Sequence, residues 1–237
     1  MIENLVGLDI ESRPHITNEA LKSYEDNLIS KVNNNKSIKK PETKMLRITE
    51  IKTAIMEFKS GIPNPITDGL IKDFSVNPLL NRICAIGLTY HNYKNEQVSI
   101  GIASEDENEI MDWFIYNLAE IQLQFNEDIR FTGHYIQSFD IPSIKLAMIR
   151  NKTDTSKLMM KRDVIFPMRK YDNTVIDTTN ILEGKLDDIA YAILGEKKIN
   201  SGSKVYELYK LGKLKEIEDY VIDDARISYE ITQKLYI

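Results

Sequence analysis

Two carboxylates in the first apolar run constrain this chain more than any other feature. Leu5-Val6-Gly7-Leu8-Asp9-Ile10-Glu11 reads as a buried strand. Side chains alternate along a strand, so Asp9 and Glu11 fall on one face. Burying one carboxylate costs several kcal/mol unless donors or a cation offset it, and two neighbours repel each other. A strand that carries both acids into the fold therefore needs a cation or a set of donors beside it. The alternative is a strand that stops at Leu8 and leaves the acids in a solvated loop. Hard dications such as Mg²⁺ or Mn²⁺ take oxygen ligands, so the first reading calls for further acids elsewhere in the chain.

Composition removes several other chemistries. A chain of 237 residues buries a sizeable core and is most economically one domain, 1–237, with an elaboration. Its single cysteine, Cys84, lies in the apolar run Arg82-Ile83-Cys84-Ala85-Ile86-Gly87-Leu88. That leaves no disulfide framework within the chain and no thiolate cluster, and it makes Cys84 a small core residue. No basic-then-apolar leader opens the sequence and no apolar stretch approaches the roughly 18 residues that span a bilayer, so the expected location is cytoplasmic, with no membrane partner. The net charge of -5 argues against a broad surface for duplex nucleic acid. It does not exclude an enzyme that admits a few nucleotides to an acidic metal site, because net charge and local field are different quantities. The basic residues cluster at Lys31, Lys36, Lys39, Lys40 and Lys44, and again at Lys157, Lys161, Arg162, Arg169 and Lys170.

Residues 12–76 form a polar insertion after the first strand, broken by Asn33-Asn34-Asn35, Pro41 and Gly61-Ile62-Pro63-Asn64-Pro65. Within it only 48–58 shows helical periodicity, with Thr49 as its cap; a loop of this length suits a lid or a substrate contact, and 30–45 reads equally well as disordered. Regular structure resumes with a strand over 82–91, a hairpin turn at 92–96 and a strand over 97–103. Residues 107–125 repeat apolar positions at Ile110, Trp113, Phe114, Leu118, Ile121 and Phe125, one side of an amphipathic helix. A short strand over 129–133 leads to Gly133-His134-Tyr135-Ile136-Gln137-Ser138-Phe139-Asp140-Ile141-Pro142. Proline there marks a first helical turn, and Ile141, Ile144, Leu146 and Ile149 continue it, so Asp140 stands at a strand-to-helix junction as a helix cap or an anion held for another purpose. Short strands are expected over 163–166 and 174–177, and helices over 186–194, 204–210 and from Leu214 towards Leu235, the first two closed by Gly195 and Gly212. On the last helix Tyr220 and Asp224 lie one turn apart on one face, beside the apolar stripe Ile217, Val221, Ile227 and Ile231.

Asp9, Glu11, Asp140 and Asp224 brought together would need two Mg²⁺ or Mn²⁺ ions about 4 Å apart, the arrangement of metal-assisted phosphodiester hydrolysis. These residues carry a resemblance. Asp9-Ile10-Glu11, Phe139-Asp140 and Tyr220-Val221-Ile222-Asp223-Asp224 resemble, in order, the three motifs of the DEDDy branch of 3'–5' exonucleases, in the DnaQ-like, ribonuclease H-like superfamily. The nearest likeness is to predicted exonucleases related to the proofreading domain of family-B DNA polymerases. It extends to Leu186-Asp187-x-Ile189-Ala190, Gly195 with Lys198, and Gly202-Ser203-x-Val205 with Leu208-Tyr209 and Gly212. Tyr135 departs from the pattern, which commonly has Asn there.

The resemblance implies an α/β fold, a ribonuclease H-like mixed β-sheet flanked by helices with the long insertion after the first strand. It implies catalytic Asp9, Glu11, Asp140, Tyr220 and Asp224, with the four acids as ligands of two Mg²⁺ or Mn²⁺ ions and Tyr220 orienting the attacking water. It implies substrate contacts from Ile10, His134, Tyr135 and Phe139. The implied reaction is removal of 5'-mononucleotides from a single-stranded or frayed DNA 3' end, as proofreading for a separate DNA polymerase. A 3'–5' exoribonuclease acting on RNA and a non-catalytic nucleic-acid-binding module of a polymerase are the alternatives.

Overall fold

The computed structural model describes residues 4–62, 64–125, 129–158, 175–198 and 204–236, which fall into two compact units, Met1–Arg13 with Asn81–Ile237, and Pro14–Leu80. The expected strand over 163–166 and the segment Gly202-Ser203 lie outside the described residues.

In the first unit, β1 (Leu5–Pro14) runs through both acids and does not stop at Leu8. β2 (Asn81–His91) and β3 (Gln97–Ala103) form the expected antiparallel hairpin, with Ala85 opposite Ala103 and His91 opposite Gln97. β4 (Arg130–Gly133) pairs parallel to β1, and β5 (Val175–Asp177) parallel to β4. The resulting mixed sheet has the order β3-β2-β1-β4-β5 and helices on both faces. This α/β arrangement is typical of the ribonuclease H-like superfamily.

Alternation along β1 decides what each face carries. Val6, Leu8 and Ile10 point into the main core with Ile86, Leu88 and Phe131. There they meet α4 (Glu107–Phe125), through Ile110, Phe114 and Leu118, and α5 (Asp140–Asn151), through Ile141 and Ile144. Trp113 is half-buried against this core. In α5 the buried stripe continues through Ala147 and Met148, while the expected Ile149 is 70% exposed. One helical turn from Ile144 lie Ala147 and Met148, and those positions face the sheet.

Gly7, Asp9 and Glu11 alternate onto the opposite face, where α8 (Leu214–Leu235) packs. Its Ile217, Val221, Ile227 and Ile231 are fully buried, as the periodicity predicts. Two glycines allow the close approach. A Cβ at Gly87 would lie 2.7 Å from the Val221 carbonyl carbon, and one at Gly7 2.5 Å from the Ala225 carbonyl oxygen. The backbone of α8 is thereby pressed on the sheet on either side of Asp224. Shorter helices α6 (Leu186–Leu194) and α7 (Val205–Lys210) flank it, and α6 closes at Gly195 with φ of +75°.

The described residues of the second unit hold three helices, where the sequence suggests one short helix. α1 (Asn18–Asn34), α2 (Pro41–Lys59) and α3 (Pro65–Ser75) enclose a small core of Leu21, Ile51, Ile55, Leu70 and Phe74. Thr17 caps α1 by accepting the Ala20 N–H, and Asn64 and Thr67 make a reciprocal capping box on α3. Thr49 is no cap: it lies inside α2 and its hydroxyl donates to the Met45 carbonyl. Residues 30–45 are the end of α1, a short turn and the start of α2.

Candidate metal centre

Asp9 and Glu11 emerge half-buried from the strand face that α8 covers, and Asp224 is buried on the helix opposite. One oxygen from each of the three lies within 4.8 Å of the others. Asp9 Oδ2 and Asp224 Oδ1 are buried and accept no hydrogen bond. Each such atom forgoes solvation without compensation. The cluster therefore fits a hard divalent cation: oxygen donors, excess negative charge and coordination capacity unused by the protein. One candidate ligand set for such an ion is Asp9, Glu11 and Asp224.

Lys198 supplies one positive charge to this cluster. Its ammonium donates to Tyr220 Oη at 3.0 Å, pairs with Asp224 Oδ2 at 2.5 Å, and stands 5.1 Å from the Tyr220 ring centroid. One ammonium does not balance three carboxylates. Burial raises the pKa of Asp9 well above its usual value, and Asp224, Asp140 and Glu11 push it further against the partial relief of Lys198. Glu11 shifts the same way, through burial and then Asp224. Burial also raises Asp224, though Lys198 and the Tyr220 hydroxyl oppose it. Burial and the surrounding carboxylates push the Tyr220 phenol far up, so its hydroxyl remains a donor and is no base.

Asp140 occupies the expected strand-to-helix junction but does not belong to the close trio. Its Oδ1 accepts the Ile10 N–H at 3.0 Å, tying the first turn of α5 to β1 between the two acids. It makes no cap of the ordinary kind, the N-cap being Phe139 without a side-chain bond. Burial lifts its pKa to about 8 against the backbone N–H bonds, with Asp177 and Asp224 adding to the rise.

The remaining predicted residues sit around this turn. The Ile10 side chain is in the core, and Phe139 packs half-buried against the same core. His134 uses both ring nitrogens, with Thr178 Oγ1 at 2.9 Å and the Gly184 carbonyl at 3.1 Å. Burial lowers its pKa. Tyr135 is 55% exposed, stands edge-on to His134 at 4.9 Å and has φ of +64°. That left-handed conformation suits Asn better than a bulky residue and costs about 1–2 kcal/mol for an ordinary side chain.

Two residues of the site were not singled out by their chemistry in the sequence. Asp177, at the end of β5, accepts the backbone N–H groups of Tyr135 and Gln137 and so fixes the turn that delivers Asp140. Lys198 falls in the run Glu196-Lys197-Lys198, which reads as a solvated surface. Its only sequence signal is its place in the family likeness.

The raised carboxylates have a consequence for stability. A group whose pKa is higher folded than unfolded binds more protons in the folded state, so stability falls as pH rises between the two values. Without divalent cations, the melting temperature is expected to decline from about pH 4, the unfolded aspartate value, to about pH 8, the folded value of Asp140. Asp140→Asn should flatten that decline in thermal denaturation scans, and Mn²⁺ should raise the melting temperature more at pH 8 than at pH 5. A decline of the same slope in the variant would mean that Asp140 does not contribute to it. No protein-family model matches this chain, and a search of curated proteins returns no match.

Proposed function

We propose that the chain is a metal-dependent 3'–5' exonuclease of the DEDDy type, hydrolysing the terminal phosphodiester of single-stranded or frayed DNA. The observation that carries this reading is the close trio of Asp9, Glu11 and Asp224 with two buried oxygens lacking partners, beside a tyrosine one turn along the same helix.

Asp9, Glu11 and Asp224 would hold one Mg²⁺ or Mn²⁺ ion, and Asp9 with Asp140 a second. Such ions supply Lewis acidity at the phosphoryl oxygens and lower the pKa of the attacking water. Tyr220, kept protonated by its surroundings, donates a hydrogen bond that orients the water. Lys198, beside Asp224 and Tyr220, offers an ammonium to a phosphate oxygen. Attack on the last phosphorus breaks its bond to the 3' oxygen, which leaves with a proton, and a 5'-mononucleotide is released. Tyr135, exposed at the turn before Asp140, and the half-buried Phe139 would stack on a terminal base, with His134 and Ile10 as further substrate contacts. A separate DNA polymerase is the partner this activity would serve.

One observation favours a non-catalytic nucleic-acid-binding module: Lys198 already neutralises part of the acidic cluster from within the chain. The test is incubation of the protein with 5'-labelled deoxyribo- and ribo-oligonucleotides and Mn²⁺. A ladder shortening from the 3' end supports the proposal, and the preferred sugar separates DNA from RNA turnover. Binding without shortening on either substrate would leave the module.

A further inference from the structure

The charge of the second unit is concentrated at one end. Residues 31–47 carry six basic side chains, Lys31, Lys36, Lys39, Lys40, Lys44 and Arg47, against one acid, Glu42. This is a net of +5 in a chain whose total is -5, so the other residues together carry -10. The fold gathers these side chains at the apex of the α1–α2 hairpin: Lys31 in the last turn of α1, Lys36, Lys39 and Lys40 around the turn, Lys44 and Arg47 in the first turns of α2. The fully buried core of the unit lies away from the apex, and of the apex residues Val32 packs half-buried against it. Its buried residues in these two helices are Leu21, Ile51, Ala54 and Ile55, in the half of each helix away from the turn, whereas 33–37 and 39–43 are all exposed. Among the described residues, Lys31, Lys36, Lys39, Lys40 and Arg47 form no ion pair. Only Lys44 is engaged, its Nζ donating to the Asn33 carbonyl at 2.6 Å and so closing the turn.

We infer that this apex binds the phosphate backbone of a single nucleic-acid strand, as a second contact besides the carboxylate centre. The inference rests on the nuclease reading for the identity of the polyanion, and the physics is independent of it. A protein that is acidic elsewhere repels a polyanion at long range, and a local cluster of unpaired ammonium groups reverses the field where it stands. Lysines spaced along a turn meet successive phosphates, and each contact releases condensed counterions. The intervening Asn33, Asn34, Asn35, Ser37 and Thr43 add neutral donors for phosphate oxygens. An anionic membrane is the less suitable partner, because residues 31–47 contain no aromatic and their exposed bulky apolar side chains are only Met45 and Leu46, Ile38 being half-buried and Val32 packed on the unit's core.

The test is fluorescence anisotropy with a 5'-fluorescein-labelled (dT)20 in EDTA, over a series of KCl concentrations. It compares the wild type with a Lys31→Gln, Lys36→Gln, Lys39→Gln, Lys40→Gln variant, all four sites being exposed and outside the core. Lys44 is left in place because it closes the turn. The slope of log affinity against log salt should fall by roughly 0.7 for each lysine removed, and affinity at 0.1 M salt by at least about tenfold. Vesicles of phosphatidylserine and phosphatidylcholine should not sediment either protein, and Mn²⁺-dependent hydrolysis of a dinucleotide, whose single phosphodiester leaves no second phosphate for the lysines, should be equal in the two. An unchanged slope and affinity, no binding of (dT)20 by the wild type, or lysine-dependent binding to vesicles alone would overturn the inference. Lysine-dependent binding by a wild type that hydrolyses nothing would overturn the nuclease reading and leave this one standing.

Discussion

An Asp9→Ala, Glu11→Ala double variant is expected to lose on the order of 10³-fold or more of any Mn²⁺-dependent shortening of oligonucleotides, the scale of losing several kcal/mol of Lewis-acid stabilisation. The same variant should be no less stable than the wild type in EDTA. Asp9 and Glu11 are held in a cluster that raises both their pKa values, so removing them relieves repulsion, and Lys198 keeps Asp224 as its partner. Activity and metal-free stability thus move in opposite directions. Acids that served only to hold the fold would lower both together. The measurement is a pair of assays on one preparation: gel-resolved products with Mn²⁺ and a thermal scan without it. Equal shortening by variant and wild type would remove these acids from the chemistry.

The second large effect is structural and acts on the same site. Gly87→Ala should destabilise the protein by about 3 kcal/mol, the upper range for overpacking, which for a chain of this size lowers the melting temperature by roughly 6–12 °C. The added methyl would meet the backbone of Val221 and Ile222, which cannot rotate away as a side chain would. Because Val221 follows Tyr220 and precedes Asp224 by less than one turn, relief of the clash moves α8 and with it two members of the site. Gly69→Ala is the control. It lies within α3 with only the Tyr24 hydroxyl 3.4 Å from the new carbon, so helix propensity makes it neutral or stabilising. A melting temperature for Gly87→Ala equal to the wild type would contradict the close packing of α8 on β2.

How far the site could be read from sequence follows from how each residue is positioned. Asp9, Glu11, Tyr220 and Asp224 were legible because regular elements carry them, and the periods of 2 and 3.6 put each pair on one face before any contact is known. α4 and α8 were legible for the same reason, their apolar stripes recurring over more than four turns. The junction at Asp140 was legible as a place, but not its bond to the Ile10 amide, which joins positions 130 residues apart. Lys198 and Asp177 act from the irregular segment that follows α6 and from the end of a three-residue strand, where no periodicity marks an orientation. The helices of the second unit were mostly hidden because many of their apolar side chains are only half-buried. α1 fully buries only Leu21, and Met45, Leu46 and Met56 of α2 are exposed, so the stripe that signals a helix is blurred.

The central claim is that Asp9, Glu11 and Asp224 form a divalent-cation site, and diffraction from Mn²⁺-soaked crystals tests it most directly. An anomalous difference peak bounded by oxygens of these three residues is the expected result, with a second peak between Asp9 and Asp140 if both proposed ions bind. Ordered density for all three carboxylates with no peak between them, at Mn²⁺ concentrations that mark other sites in the crystal, would contradict it.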